Sequence, residues 1–293
     1  MIQWDVLTSY SFLLIAAGTF LLASAAGIVG TISVLKGQSL IGDAIGHAAY
    51  PGIILAFMVM ISKDSLSLLI GALFTGALAF ALIEVIHYYS KLELDAILAI
   101  VLSSFFGLGM VLKSWIQGHP RFAGESQAGL ANYIFGQAAY IMEQDVVLIL
   151  TVAITSLLLF ALFYKEIKVF VFDEQYAKTI GIKPGFLYFL IMVMTMSIIG
   201  VGLKLVGTIL IASLIIVPAV TALQWSDKFL HVCLIAAGVG GVSAVVGTYI
   251  STIYQGMSTG PTIIVVMTLL ALISLVIGPR GIMSVLRKRR KLA

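Results

Sequence analysis

The sequence predicts an all-α, polytopic membrane protein of about nine transmembrane helices, and three observations predict it. Of 293 residues, 61% are hydrophobic and 10% are charged, whereas a soluble domain carries about 25% charged residues. The mean hydropathy is +1.13. Apolar stretches close to the length that crosses a bilayer, about 20 residues, recur from one end of the chain to the other. No soluble fold of this size could cover so much apolar surface with polar groups, so the solvent of most of the chain is lipid.

The spans are predicted at 10–35, 39–61, 66–89, 96–116, 145–164, 186–203, 205–223, 229–252 and 260–278. The first is long and no A-x-A-like cleavage site follows it, which reads as a retained span rather than a signal peptide. The second carries both acid and histidine, Asp43 and His47. Residues 117–144 and 165–185 are longer connections. Residues 186–223 form one apolar stretch too long for a single span. Its break GVGLKLVG, with Lys204 inside it, is the predicted hairpin point. The Gly-rich run GVGGVSAVVG (238–247) in the eighth span reads as a helix-packing face. Cys233 is the single cysteine, which excludes an internal disulfide and suits inert packing. The chain reads as one transmembrane domain over 1–293, with a cytoplasmic segment at about 165–185 and a basic tail at 279–293.

Orientation follows from Lys and Arg. With the C-terminus in the cytoplasm, only Lys63, Lys113, Arg121 and Lys204 of the 17 basic residues face outward. The positive-inside rule therefore places the C-terminus inside, and an odd number of spans places the N-terminus outside. The terminal run Arg287 to Lys291 reads as a topology anchor rather than a nucleic-acid site.

In the inner connection, KEIKVFVFDEQYAKTIGIKPG, a helical core is predicted over Asp173 to Ile182. Asp173 can cap it, acidic residues crowd its first turn, and Gly181 and Pro184 end it. A short helix on the cytoplasmic surface can dock a soluble partner or simply pack at the interface.

Charged side chains inside a bilayer are costly and usually functional. In SLIGDAIGHAAYPGIILAF (39–57), Asp43 and His47 are four apart, so a helix puts carboxylate and imidazole on one face, about one turn apart. Both can reach one cation, and this donor pair suits Mn²⁺ or Zn²⁺. The competing reading is a structural contact between the two, or with a lysine. A metal would need further ligands from another helix, a second subunit or water. Gly42, Ala44, Gly46, Ala48 and Ala49 allow close helix approach, and Pro51 frees backbone carbonyls or kinks the span. Glu84 and His87, at i and i+3, sit near the predicted cytoplasmic end of the third span, where snorkelling accounts for them. His119 falls in an external loop and His231 at the inner end of a span, each read as a solvated or interfacial group rather than a ligand. The 11 methionines are scattered. There is no H-E-x-x-H, which an intramembrane metalloenzyme would use, and no GxxxxGK[ST] to cradle ATP phosphates.

These residues resemble a known family. LIGDAIGHAAYPGIILAF is similar to the signature of the ABC-3 metal-importer permeases, which include bacterial manganese and zinc importers. LDAILAIVLSSFFGLGMVL (94–112), YIFGQ (133–137), FDEQYAKTIGI (172–182) and VGTILIASLIIVPAVTAL (206–223) agree in the same order. The resemblance implies a type II-like ABC importer permease fold. It further implies a subunit of the bacterial cell membrane that is not itself an enzyme and works with a second permease subunit (a like copy or a paralogue), two cytoplasmic ATPase subunits and an extracytoplasmic metal-binding protein. No cofactor is held permanently; Mn²⁺ or Zn²⁺ is the cargo. Asp43 and His47 fall on the positions implied to contact the ion. Asp173, Glu174, Gln175, Tyr176, Ala177, Lys178 and Gly181 fall on the ATPase-coupling helix. Gly46 stands where the family often has Ser, which removes a hydroxyl ligand. Pro51 is more usual among manganese-type members. The rival readings are an ion-gradient-driven metal transporter, which would show paired broken helices in two related halves, and an ABC permease for a chelate such as a siderophore.

Overall fold

The computed structural model describes residues 8–62, 64–122, 143–254 and 257–284. Lys63, the YIFGQ motif at 133–137 and the basic run Arg287–Lys291 lie outside them. Eleven α-helices follow in order among the described residues: α1 Tyr10–Leu35, α2 Ile41–Met60, α3 Ser65–Tyr89, α4 Leu94–Gln117, α5 Glu143–Leu162, α6 Tyr164–Phe172, α7 Glu174–Thr179, α8 Pro184–Val206, α9 Thr208–Leu223, α10 Phe229–Ile253 and α11 Thr259–Ile277. A single 3-10 turn, Pro120–Phe122, follows α4.

Eight of the helices are long and apolar enough to cross a membrane, and α9 is a shorter apolar one. At about 1.5 Å per residue, the 26 residues of α1 reach about 39 Å, more than the hydrocarbon core of about 30 Å. The predicted break GVGLKLVG contains the observed one, at its last residue, but the connection is shorter than a hairpin loop. Helix α8 runs on through Lys204 to Val206, and one residue, Gly207 at φ +82, separates it from α9. An αα-hairpin takes a loop of about 2–5 residues. A lone left-handed glycine ends one helix and lets the next start at once, because it has no Cβ to clash.

The chain divides into two compact units. One comprises Met1–Ser39, Met142–Thr195 and Ser213–Ala293. In it α10 packs along α1, with α5 also on α1 and α11 on α10. The contact is backbone against backbone: a Cβ at Gly27 would lie 2.7 Å from the Ala236 carbonyl, and one at Gly240 would lie 2.6 Å from that of Ala23. Close approach at small residues is how helices associate where lipid removes the hydrophobic drive. Thr19 and Thr248 meet across this interface at 3.3 Å, both buried. Cys233 is buried here.

The other unit comprises Leu40–Ile141 and Met196–Ala212. Helix α2 is its centre and carries α3 on one side and α4 on another. Asp64 caps α3 by accepting from the Ser67 N–H at 2.9 Å. Along α3 Leu66, Ile70, Phe74, Leu78, Leu82 and Val85 are exposed, while Ala72, Thr75, Gly76 and Ala79 are buried together with Leu68, Leu69 and Ile83. A row of large apolar side chains outside, with small residues in the middle of the buried face, departs from the pattern of a water-soluble helix. It is the arrangement a lipid solvent produces.

Candidate functional site

Helix α2 starts at Ile41, so Asp43 stands in its first turn, where the unpaired N–H groups and the helix dipole favour a negative charge. His47 follows one turn later. Its Nε2 lies 3.5 Å from Asp43 Oδ1, with the Asp43 side chain 34% exposed and that of His47 14%. The i, i+4 spacing thus brings carboxylate and imidazole together. The imidazole stands edge-on to Phe106 of α4, ring centroids 4.8 Å apart, which fixes its orientation. His47 Nδ1 is buried without a hydrogen-bond partner. A buried imidazole nitrogen left unbonded costs stability and is the exception in folded proteins. Pro51 removes the N–H that would otherwise bond the His47 carbonyl in the helical ladder.

Tyr50 completes this face and escaped sequence reasoning. It is fully buried, its hydroxyl has no partner, and its ring lies against Gly109 of α4 and 6.0 Å from the Phe106 ring. The signal was available: positions 43, 47 and 50 follow the i, i+4, i+7 pattern of one helix face. The small residues around the pair are used as their size suggests. A Cβ on Gly46 would lie 3.0 Å from the Ile211 side chain, so α9 approaches closely where the hydroxyl of a serine would have stood. Among the described residues no cluster of three or more His, Cys, Asp or Glu could hold a metal, so this pair is at most half of a coordination shell.

Glu84 and His87 are exposed at the end of α3, consistent with snorkelling. His119 packs at tilted angles against Trp115 and Phe122, centroids 4.9 and 5.7 Å away, in a cluster of three rings. His231 is exposed near the start of α10, by a cavity of about 490 Å³ lined also by Tyr164, Lys168, Asp227 and Lys228.

The second candidate region is the inner connection. It holds two helices where one was expected, since residues 164–172 form α6. The predicted helix over Asp173 to Ile182 is shorter, Glu174–Thr179. Asp173 caps it as expected, accepting from the Tyr176 N–H at 2.8 Å. Gly181, at φ +85, closes it: the Ile182 N–H donates to the Ala177 carbonyl and the Gly181 N–H to that of Lys178. This double closure is a Schellman motif with Gly181 just past the cap Ile180, so the helix ends at Thr179, three residues before the predicted end at Ile182. Ala177 is fully buried, whereas Gln175, Tyr176 and Lys178 point outward, flanked by exposed Phe172 and Ile180.

Glu174 holds this helix to the unit. Its Oε2 accepts from the Tyr188 hydroxyl at 3.1 Å and lies 3.5 Å from Lys36 Nζ; its Oε1 lies 3.4 Å from Lys178. Burial pushes the carboxyl pKa up. The Tyr188 hydrogen bond and the two ammonium groups outweigh it and leave the carboxyl below its usual value.

Residues 9–278 match the family described as the ABC 3 transport family. The manganese transport system membrane protein of Bacillus subtilis is 42% identical over 91% of this chain, which spans 60% of that relative's length. The zinc transport system membrane protein of Treponema pallidum is 37% identical, covering 98% of this chain and 95% of the relative. Among solved structures, PsaBC from Streptococcus pneumoniae in complex with Fab matches with a TM-score of 0.82 at 28% identity, over 94% of this chain and 95% of the other.

Proposed function

Since this chain belongs to the ABC 3 transport family, we propose that it is the membrane permease subunit of an importer for a divalent transition-metal ion, with Mn²⁺ the first assignment and Zn²⁺ or Fe²⁺ the alternatives. Relatives named for manganese and for zinc transport support the cargo class. The observation that carries the reading is the Asp43–His47 pair in α2, with an imidazole nitrogen buried and unbonded beside a carboxylate. A hard oxygen donor with a borderline nitrogen donor suits this part of the transition series better than alkali ions or soft copper(I).

In this reading the ion loses water and gains Asp43 and His47 transiently. Further ligands come from water or from a second permease subunit. Binding stays weak enough for release inward. The C-terminus faces the cytoplasm, an extracytoplasmic protein delivers the metal, and two ATPase subunits supply the energy. Hydrolysis belongs to those partners, and this chain moves the ion without catalysing a reaction. The outward face of α7, with Gln175, Tyr176 and Lys178, is the surface on which an ATPase subunit seats. An aromatic ring and a lysine on a capped, anchored helix make a rigid docking element.

The experiment is metal uptake into proteoliposomes holding the complete complex, with Mn²⁺, Zn²⁺ and Fe²⁺ each supplied on the binding protein. Asp43→Ala and His47→Ala each abolish uptake while the ATPase subunits still copurify. Normal uptake in both variants refutes the site. Uptake by the permease alone under an ion gradient would replace the ABC reading with a secondary transporter.

A further inference from the structure

Lys36 is the C-cap of α1, and a lysine at a membrane helix end ordinarily extends to the headgroups. This one does not. Its side chain is only 11% exposed, and its ammonium sits 3.4 Å from the centroid of the Phe170 ring and 4.2 Å from that of Tyr188. Nζ also donates to the Tyr188 hydroxyl at 3.1 Å, which in turn donates to Glu174, and Nζ lies 3.5 Å from Glu174 itself. Four helices, α1, α6, α7 and α8, thus converge on one cation.

Both ends of the link are stiff. Helix α1 closes by a Schellman motif of its own: Gly37 at φ +70 donates to the Val34 carbonyl, and the Gln38 N–H donates to that of Ser33. Lys36 therefore stands at the negative end of the α1 dipole, while Glu174 is the first residue of α7, at the positive end of that helix's dipole. A desolvated cation between two rings, paired to a carboxylate, is held far more firmly than an exposed ion pair. Five residues after Lys36, at Ile41, the chain enters α2, whose first turn bears Asp43.

We propose that Lys36 is a positioning residue for transport: it clamps α7 to the end of α1, so that a displacement imposed on α7 is delivered to the connector that leads into the ion-bearing helix α2. The inference rests on the transport reading above for what displaces α7, but the clamp itself concerns this chain alone. A structural contact elsewhere on the surface would stabilise the fold and no more. A clamp in the drive train also fixes how much metal moves per ATP consumed.

Two measurements separate these cases. The first is hydrogen exchange of the solubilised chain, with Lys36→Met, which keeps a long apolar side chain and removes the charge. The amides of α7 exchange about tenfold faster or more, while those of α10 are unchanged. The second uses the complete complex in proteoliposomes with Mn²⁺ on the binding protein. Lys36→Met retains its ATPase subunits and basal hydrolysis, yet uptake per ATP hydrolysed drops by about tenfold, the ordinary scale of a lost coupling. Lys36→Arg, which keeps the charge and stacks on rings, restores most of it. Unchanged α7 exchange in Lys36→Met overturns the clamp. Changed exchange with an unchanged uptake-to-hydrolysis ratio makes the contact structural and overturns its role in transport. A wild-type complex that takes up no metal defeats the transport reading instead, and the exchange experiment still decides the clamp.

Discussion

The crossing of α2 and α3 is among the tightest contacts of the described residues, and it sits on the helix that carries Asp43 and His47. Gly52 and Gly71 face each other there. A Cβ on Gly52 would run into the Gly71 carbonyl oxygen and the Thr75 hydroxyl, with the Gly71 carbonyl carbon at 2.6 Å. A Cβ on Gly71 would strike the Gly52 carbonyl oxygen and lie 2.7 Å from the Ala56 methyl. The obstacles to Gly52→Ala are mainly main-chain atoms, which cannot rotate aside, so α3 must move off. Overpacking of this kind costs about 1–3 kcal/mol, against which the better helix propensity of alanine returns up to about 1 kcal/mol. The net loss is about 1–2 kcal/mol, and at about 2–4 °C per kcal/mol the apparent unfolding midpoint in detergent falls by about 2–8 °C. Gly238→Ala is the control. Gly238 is an exposed glycine inside α10 with open space where its Cβ would go. There alanine keeps the propensity gain, so the midpoint holds or rises by about 2–4 °C. The same chemical change thus gives opposite signs at two helical glycines. Midpoints are read by fluorescence-detected gel filtration of heated samples. A Gly52→Ala protein as stable as wild type would show that α2 and α3 are not pressed backbone to backbone, and the account of how α2 is held would be wrong.

The cap and the carboxylate of α7 give two further tests. Asp173→Ala removes the acceptor for the Tyr176 N–H and costs about 1 kcal/mol locally. Exchange of the α7 amides rises, copurification with the ATPase subunits weakens, and the α1–α10 core is untouched; wild-type exchange in α7 would refute the cap. The Glu174 carboxyl lies below its usual value of 4.5 in the folded chain. The stability it contributes is therefore fully present above that value and is lost as pH falls through the lower folded value. The difference in apparent midpoint between wild type and Glu174→Gln stays constant from about pH 8 to about pH 5 and shrinks below that range. A difference that instead fades as pH rises through neutrality would show that the charged carboxylate is not what Lys36, Lys178 and Tyr188 hold.

Much of the architecture was readable along the chain because the bilayer imposes a one-dimensional rule. Each span must satisfy its own backbone hydrogen bonds and be apolar for about 20 residues, so hydropathy alone places it. The start of α7 was readable because Asp173 acts within its own helix, three residues from the N–H it accepts. Its end was less so: Gly181 marked the region, but the residue at which the Schellman closure forms depends on backbone geometry rather than on residue type. The joint after α8 was readable to the segment GVGLKLVG and no further: the backbone breaks at its last residue, Gly207, three residues beyond the lysine that marked it.

Asp43 and His47 were visible as a pair because four residues on a helix put them on one face whatever surrounds it. Their surroundings were not visible. That Phe106 of α4 orients the imidazole, that Tyr50 joins the same face, and that α9 fills the space beside Gly46 depend on which helices become neighbours. Lys36 is the plainest case. Composition and the positive-inside rule assign it a place at the membrane edge, and nothing local distinguishes it from any other lysine there. Its burial between Phe170 and Tyr188 comes from segments more than a hundred residues away. Periodicity and caps act between residues a few positions apart and can be read from order alone; a partner that arrives through packing exists only once the helices have assembled.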